Sequence, residues 1–179
     1  MASLQVHDKQ FVPYIDAAKI QYRVTELGQQ LSKDYEGKKP LFIAILNGSF
    51  IFAADLFRAI SIEAEISFIK LASYKGTTST GHVVTAIGME EKLSGRHVVI
   101  VEDIIDTGKT LSSFLPEIEQ RGPASVKIAT FLSKPDALLH EVKADYIGFE
   151  IPNRFVLGYG LDYDGLGRNI PELLQLAAD

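Results

Sequence analysis

A chain of 179 residues with 46% hydrophobic and 23% charged residues can bury a full hydrophobic core as one domain, and this composition excludes a disordered protein. The 18 Lys and Arg residues against 23 Asp and Glu residues give a formal net charge of -5, which argues against a dedicated DNA- or RNA-binding protein, because such proteins are usually basic. The sequence contains no cysteine, so disulfides, thiolate metal sites and a cysteine nucleophile are excluded.

The sequence predicts neither a targeting segment nor a membrane span. Its first residues are polar and lack the apolar core of a signal peptide. The longest apolar runs, such as Leu41 to Leu46, are far shorter than the ~20 residues of a transmembrane helix. We therefore expect a cytoplasmic protein that has no membrane partner and no nucleic-acid partner.

The first half of the chain alternates helical and extended patterns. Apolar residues recur at helical spacing from Ile20 to Leu31, and the continuous apolar run after Pro40 predicts a strand buried on both faces. The expected elements are a helix at 16–32, a strand at 41–46, a helix at 51–60 and strands at 62–71 and 82–88. The segment 73–81 is small, polar and bounded by glycine, which predicts a mobile loop.

The second half predicts further strands separated by a turn and a helix. The expected elements are a strand at 97–101, a turn at 106–110, a helix at 111–120, strands at 125–132 and 146–149 and a short strand within 155–161. Pro116 would have to kink the helix or lie in its first turn. Alternating strands and helices indicate a mostly parallel sheet, in which ligands bind at the carboxyl ends of the strands. The candidate loops therefore follow Leu46, Val101, Leu132 and Phe149.

The most informative stretch lies at the end of the strand at 97–101. Glu102 and Asp103 follow that strand, Asp106 comes shortly after, and residues 107–110 (Thr-Gly-Lys-Thr) then open a helix. Backbone N–H groups, hydroxyls and a helix N-terminus at such a turn suit a phosphate group. The acidic side chains would repel that phosphate, so they would instead hold sugar hydroxyls, directly or through a cation.

Two simpler interpretations of this stretch are weaker. The tripeptide at 108–110 looks like the end of a P-loop, but that motif needs a glycine five residues before Gly108, where this chain has Asp103. A carboxylate at that position would repel a bound triphosphate. A solvated acidic turn that only begins a helix would not explain three acidic residues so close together at a strand end.

The stretch from Val101 to Gly108 resembles the 5-phosphoribosyl diphosphate (PRPP) signature of the purine phosphoribosyltransferases, and of the hypoxanthine-guanine members in particular. The resemblance covers most of the sequence, from about Leu41 to Asn169. Its other pieces are Leu46-Asn47-Gly48, Ser133-Lys134 and a C-terminal set made of 148–152, Phe155-Val156, 161–163 and Arg168. The signature alone indicates PRPP binding, and the C-terminal pieces indicate the branch that acts on 6-oxopurines.

This resemblance implies a type I phosphoribosyltransferase fold, which is an α/β domain with a mostly parallel central sheet flanked by helices. A single domain would occupy 1–179, with a small hood formed by the terminal segments and a mobile active-site loop near 73–81. The implied reaction moves the 5-phosphoribosyl group of PRPP to hypoxanthine or guanine and yields IMP or GMP and pyrophosphate. The implied cofactor is Mg2+, and the implied assembly is a homodimer or homotetramer.

The resemblance assigns the PRPP site to one continuous segment. Glu102 and Asp103 would hold the ribose hydroxyls, with magnesium between them and the sugar. Asp106 would be the general base beside N7 of the purine. The 5′-phosphate would bind mainly to backbone N–H groups of Thr107, Gly108, Lys109 and Thr110.

The resemblance assigns the other substrate groups to separate segments. The pyrophosphate-binding residues would be Gly48, Ser73, Tyr74 and Arg168. The purine-binding residues would be Lys134, Phe155, Val156 and Asp162, and the metal ligands would be Glu102, Asp103 and Asp162. Phe155 would stack on the purine and Lys134 would donate to its O6 atom. Because lysine has donors and no acceptor, the site would reject the amino group of adenine.

Three residues depart from the family pattern. Asn47 and Arg154 stand where many relatives carry lysine, and Asn169 stands where they often carry aspartate. Relatives often have a cis peptide in this first segment, which predicts a cis bond between Asn47 and Gly48 in this chain. The histidines are scattered without metal-ligand spacing, so we interpret them as structural or surface residues.

Three other functions are compatible with parts of the sequence. A non-catalytic regulator would keep the PRPP site as a sensor, but this chain has no added DNA-binding segment and a negative net charge. A sister enzyme would prefer another base, such as xanthine or a pterin-like analogue. A plain structural domain would leave the acidic segment unexplained. Transfer to hypoxanthine or guanine is therefore the expected function.

Overall fold

The computed structural model describes residues 3–72 and 85–178, which form a large sheet flanked by helices and a smaller sheet beside it. The strands are β1 (Leu4–Val6), β2 (Lys9–Ile15), β3 (Leu41–Leu46), β4 (Glu65–Ala72), β5 (Thr85–Ile87), β6 (His97–Ile105), β7 (Ser125–Ser133), β8 (Tyr146–Glu150), β9 (Val156–Leu157) and β10 (Leu173–Leu176). The helices are α1 (Ala17–Asp34), α2 (Phe50–Arg58) and α3 (Lys109–Glu119), and a short 3-10 helix covers Pro135–Ala137.

The central sheet has the strand order β5-β4-β3-β6-β7-β8. Neighbouring strands from β4 to β8 pair in parallel, and β5 pairs with β4 in antiparallel fashion at one edge. This topology confirms the predicted α/β fold with a mostly parallel central sheet. It also brings the carboxyl ends of β3, β6 and β7 to one edge of the sheet, as the proposed location of the site requires.

Strand β3 shows why a continuous apolar run predicts a strand of this kind. Leu41, Ile43 and Ile45 pack into a core that includes the apolar residues of α3. Phe42 and Ala44 pack into the other core, with the apolar residues of α1 and α2. Because successive side chains of a strand point to opposite faces, a strand covered by helices on both sides has no polar positions. The predicted strand at 41–46 is confirmed with the same bounds.

Strand β6 is longer than predicted. The expected end was Val101, but the strand continues to Ile105, because β7 keeps pairing with it as far as the match of Ile105 with Ser133. Pairing with β3 on the other side ends at Val101. Glu102 and Asp103 therefore lie within β6, beyond the point where β3 has left it, and not in the loop after the strand.

Helix α1 confirms the predicted helix at 16–32 and extends it to Asp34. Asp16 is the N-cap, and its Oδ1 accepts a hydrogen bond from the backbone N–H of Lys19 at 2.8 Å. A Cβ atom at Gly28 would lie 2.4 Å from Cβ of Ala59, so this glycine lets α1 lie directly against the end of α2. Helix α1 thus packs against α2, which begins just after the loop that follows β3.

Helix α3 begins earlier than predicted, at Lys109, and includes Pro116. Pro116 was expected either to kink the helix or to lie in its first turn. It lies beyond the first turn, on the exposed face of the helix. The early start matters for the site, because the helix N-terminus then lies directly at the turn that follows Asp106.

The smaller sheet is antiparallel, with the order β1-β2-β10-β9, and we refer to it as the hood. Its own core consists of Val6, Phe11, Leu157 and Leu174. Strands β1, β2 and β10 were not predicted from the sequence, because polar and apolar residues are mixed in each of them. A strand was predicted within 155–161, but β9 covers only Val156–Leu157, because the chain turns directly afterwards.

The predicted mobile loop at 73–81 lies outside the described residues, as do the first residues of the predicted strand at 82–88. The described part of that strand is β5. Among the helices of residues 3–72 and 85–178, none is long and apolar enough to cross a membrane.

Candidate active site

The first cavity lies between the end of β6 and the start of α3 and has a volume of about 330 Å³. The predicted PRPP residues that line it are Glu102, Asp103, Asp106, Thr107, Gly108, Lys109 and Thr110. The apolar wall of the cavity was not predicted and consists of Ile45, Leu46, Leu71, Ile104, Ile105 and Leu111. The structure therefore brings the whole predicted segment around one concave space.

The turn between β6 and α3 is shaped to present backbone N–H groups. Gly108 precedes α3 with a φ of 79°, in the left-handed region that favours glycine. A Cβ atom there would lie 3.1 Å from the carbonyl oxygen of His140, so the turn packs tightly against the next loop. The carbonyl of Thr107 accepts hydrogen bonds from the N–H groups of Leu139 and His140, which fixes the turn from behind. The N–H of Lys109 donates to Oγ1 of Thr107 at 3.3 Å, and the N–H groups that follow it at the start of α3 can bind a phosphate.

The two adjacent carboxylates on β6 are held by the backbone. Glu102 is buried, and its Oε1 accepts the N–H of Asp103 at 3.0 Å. Oδ1 of Asp103 accepts the N–H of Ile104 at 2.7 Å. Burial, together with the neighbouring charge of Asp103, raises the pKa of Glu102 well above its ordinary value. A bound cation or a pair of sugar hydroxyls would offset the cost of keeping both groups ionised.

The structure brings two of the three predicted metal ligands together. Within residues 3–72 and 85–178, no three His, Cys, Asp or Glu side chains lie close enough to hold a metal ion by themselves. Asp162 forms an ion pair with Arg168 at 3.1 Å instead. The pair of Glu102 and Asp103 nevertheless suits Mg2+, which commonly binds one or two carboxylates and takes its remaining oxygens from water and substrate phosphates.

Gly48 lies where β3 leaves the sheet, in direct contact with the acidic pair. A Cβ atom at Gly48 would lie 1.7 Å from Oδ2 of Asp103, so any other residue would displace that carboxylate. The structure contains a cis peptide bond in this segment, but it joins Leu46 to Asn47. The expectation of a cis bond between Asn47 and Gly48 is therefore wrong by one residue, because the chain turns at the last residue of β3.

Replacing Gly48 with Ala is expected to lower kcat/KM by up to about 10²-fold, because the methyl group would push the Asp103 carboxylate by roughly 1 Å or more. Steady-state kinetics measure the change, and circular dichroism checks that the fold persists. Gly37→Ala controls for lost stability alone, since a Cβ atom there meets nothing within 4 Å but the φ of 74° is unfavourable for alanine. Wild-type kinetics for Gly48→Ala would contradict the assignment of this contact to the site.

The second cavity lies between β6, the residue after β7 and the hood, and has a volume of about 220 Å³. All four predicted purine residues line it, namely Lys134, Phe155, Val156 and Asp162. Leu161 also lines it and was not predicted. The cavity shares Asp103, Ile104 and Asp106 with the first cavity, so the two spaces meet at the acidic segment.

Lys134 and Asp106 face each other at the junction of the two cavities. Nζ of Lys134 lies 3.3 Å from Oδ2 of Asp106, and the exposed side-chain fractions are 8% for the lysine and 51% for the aspartate. The backbone N–H of Lys134 donates to the carbonyl of Ile105 at 2.9 Å, which ties the lysine to the end of β6. A charged donor and a proton acceptor thus stand side by side where a planar base would enter.

The remaining predicted residues are distributed as follows. Arg168 lines neither of these cavities; it pairs with Asp162, and its Nη1 donates to the carbonyl of Gly160 at 2.7 Å. Ser73 and Tyr74 lie outside the described residues. Arg154 donates to Oε1 of Gln175 at 2.8 Å, on the hood and away from the purine cavity.

The comparisons with known proteins agree on one family. The model of the phosphoribosyl transferase domain matches residues 14–164. A hypoxanthine-guanine phosphoribosyltransferase of Streptococcus pneumoniae is 48% identical over 147 residues, which is 82% of each chain. That of Lactococcus lactis is 48% identical over 147 residues, or 82% of this chain and 80% of the relative. Among solved structures, a hypoxanthine-guanine phosphoribosyltransferase of Bacillus anthracis superposes with a TM-score of 0.86 at 36% identity, covering 93% of this chain and 98% of that one.

Fold, cavities and matches define a member of the phosphoribosyltransferase family. Within that family the chain belongs to the hypoxanthine-guanine phosphoribosyltransferases, and the resemblance seen in the sequence is confirmed.

Proposed function

We propose that this protein transfers the 5-phosphoribosyl group of PRPP to hypoxanthine or guanine in purine salvage and releases pyrophosphate. The observation that carries this proposal is the junction of the two cavities at Asp103, Ile104 and Asp106. One cavity has the acids and N–H groups that a ribose phosphate needs. The other has an aromatic wall and a buried lysine that suit a planar 6-oxo base. The reacting atoms would meet at the junction.

Asp106 has the position of the general base. A ring nitrogen of the purine forms the new bond to C1′ of the ribose, while the bond from C1′ to the pyrophosphate oxygen breaks and its electron pair leaves with pyrophosphate. The proton on N7 passes to or is shared with Asp106, so positive charge does not accumulate on the base. Lys134, 3.3 Å away, holds the carboxylate on the side where the base enters. General base catalysis of this kind typically contributes about 10²–10⁴-fold.

Lys134 also gives the site its preference for a 6-oxo group. Its ammonium group is buried and, among the described residues, donates to Asp106, so an acceptor on the base can join that partner. O6 of hypoxanthine or guanine supplies that acceptor, whereas the amino group of adenine presents a donor to a donor. Phe155 lines the purine cavity and is about half-exposed, so we propose that its ring stacks on the base.

Glu102 and Asp103 are the proposed metal-binding pair, and the ribose hydroxyls would share them. When bound, Mg2+ would neutralise and orient the leaving pyrophosphate. Gly48 would offer its N–H group to the pyrophosphate, and the start of α3 would bind the 5′-phosphate. We further propose that Asp162 completes the purine site and that Arg168 turns from Asp162 to pyrophosphate when PRPP binds.

Turnover with a panel of bases tests the proposed function. With PRPP and magnesium, we expect nucleotide formation from hypoxanthine or guanine, little or none from adenine, and loss of turnover when a chelator removes the metal. Xanthine as the only accepted base would establish the sister enzyme instead. Tight PRPP binding without turnover of any base would contradict the proposal and favour a PRPP-sensing regulator, although such a protein has no need of the purine cavity.

We also propose that the protein acts in the cytoplasm as a homodimer or homotetramer. The family resemblance supports this assembly, and light scattering from the purified protein measures its mass directly. If the purified protein is a monomer and still turns over hypoxanthine, the proposed assembly is contradicted and the proposed reaction is not.

A further inference from the structure

The chain makes a tight turn at Gly158, Tyr159 and Gly160, directly after β9. All three residues have positive φ, at 104°, 47° and 98° in that order. The left-handed region is open to glycine but unfavourable for a tyrosine, which has a Cβ atom. Tyr159 is also nearly buried, with 2% of its surface exposed. A residue kept in this conformation needs contacts that hold it there, so its side-chain partners matter.

One carboxylate holds the Tyr159 side chain. Its hydroxyl donates to Oδ2 of Asp55 on α2 at 2.5 Å. The same Oδ2 atom accepts a hydrogen bond from Nε2 of Gln21 on α1 at 2.9 Å. The tyrosine ring also packs on Phe131, with ring centroids 4.7 Å apart. Burial, with the hydrogen bond to Asp55, raises the pKa of Tyr159 well above its ordinary value, so the hydroxyl remains a donor. The turn is thereby anchored to both helices on that face of the sheet.

The same turn touches the proposed pyrophosphate site on its other side. The carbonyl of Gly160 accepts a hydrogen bond from Nη1 of Arg168 at 2.7 Å, and the N–H of Gly160 donates to the carbonyl of Arg168 at 3.0 Å. A Cβ atom at Gly160 would lie 2.3 Å from the carbonyl oxygen of Gly48. Gly48 in turn leaves no room for a Cβ atom beside Asp103. A shift of the turn would therefore move both Arg168 and the loop after β3.

We propose that Asp55 and Tyr159 are positioning residues whose hydrogen bond fixes the turn so that Gly48 and Arg168 stay placed for the pyrophosphate half of PRPP. This inference rests on the proposed function. Neither side chain lines the two cavities, so their effect would pass through the turn and not through contact with substrate. Val156, Leu161 and Asp162 flank the turn and line the purine cavity, so the base would also sense a shift, but the direct contacts of the turn are with Gly48 and Arg168. The larger effect would therefore fall on PRPP.

Replacing Tyr159 with Phe removes only the hydroxyl. We expect KM for PRPP to rise roughly tenfold, the equivalent of one hydrogen bond to a charged acceptor, while kcat remains nearly unchanged and KM for hypoxanthine rises less. Asp55→Ala should reproduce this change. Asp55→Asn keeps an acceptor oxygen for the tyrosine and should retain nearly the wild-type KM. Circular dichroism checks the fold of each variant, and the Asp55 pair provides the test if Tyr159→Phe does not fold.

Tyr146→Phe is the matched control. Tyr146 is also buried, at 7% exposed, and its hydroxyl donates to Oδ2 of Asp34 at 2.7 Å, but it lies at the beginning of β8 and away from both cavities. A merely structural role for Tyr159 predicts the same outcome for both variants: lower stability and an unchanged KM for PRPP. Equal KM values for Tyr159→Phe and Tyr146→Phe would overturn the inference.

Two measurements separate failure of this inference from failure of the proposed function. If the wild-type protein turns over no base, the proposed reaction fails, and calorimetric Kd values for PRPP then compare the same variants. A Kd that is weaker for Tyr159→Phe than for Tyr146→Phe would uphold the positioning role without turnover. If the wild type is active and neither KM nor Kd differs between the two variants, only the positioning role fails.

Discussion

Replacing Asp106 with Asn is expected to lower kcat at least tenfold with hypoxanthine, and toward the roughly 10²–10⁴-fold range of general base catalysis, while the affinity for PRPP stays nearly intact. Asn is close to Asp in size and leaves the contacts of the β6–α3 turn in place. It cannot accept the N7 proton, so the purine would have to carry its positive charge through bond formation. The loss therefore falls on the chemical step.

Single-turnover and steady-state rates, together with calorimetric PRPP binding, measure this separation. Asp136→Asn is the control, because Asp136 is an exposed carboxylate in the 3-10 helix that follows Lys134 and lines neither cavity. Loss of PRPP binding with an unchanged kcat would show that Asp106 serves the ribose and not the base. That result would move the general base elsewhere in the purine cavity.

The parts of the fold that were predicted correctly are those with a local physical cause. Strand β3 is apolar at almost every position because helices cover both faces of the sheet, and α1 has a capping aspartate followed by a buried stripe. The end of β6 was missed because Glu102 and Asp103 interrupt its apolar pattern, while pairing with β7 continues to Ile105. Strands of the hood were missed because β2 and β10 pair across almost the whole chain.

The site divides in the same way. Residues 102–110 are contiguous, so one motif was enough to predict the first cavity, and all of them except the connecting Ile104 and Ile105 were named. The contact of Gly48 with Asp103, the turn at Tyr159 and the pairing of Arg168 with Asp162 depend on segments that meet only in the folded chain. Asp55 belongs to no recognisable sequence motif, so its role can be inferred only from its hydrogen bonds in the folded chain.

Replacing Lys134 with Met is expected to reduce kcat/KM for hypoxanthine by roughly 10²-fold, the upper range for a hydrogen bond from a charged donor, and to leave the low rate with adenine unreduced. Sites that reject a base by an unpaired buried donor discriminate by up to about 10⁴–10⁵-fold, so removing the donor collapses much of that ratio. Met keeps most of the length of the lysine side chain without its charge, and the half-exposed Asp106 can be hydrated when its partner is lost.

The hypoxanthine-to-adenine ratio of kcat/KM is the decisive measurement, since a general loss of activity lowers both terms alike. Lys127→Met is the control, because Lys127 also pairs with an aspartate, Asp145 at 3.5 Å, but lies near the beginning of β7, whereas Lys134 directly follows the end of that strand. A wild-type ratio in Lys134→Met would mean that another group selects the base. Both variants remove one lysine charge and one ion pair. If the preference for hypoxanthine is lost in Lys134→Met and kept in Lys127→Met, the loss therefore comes from the buried ammonium group that we place at O6.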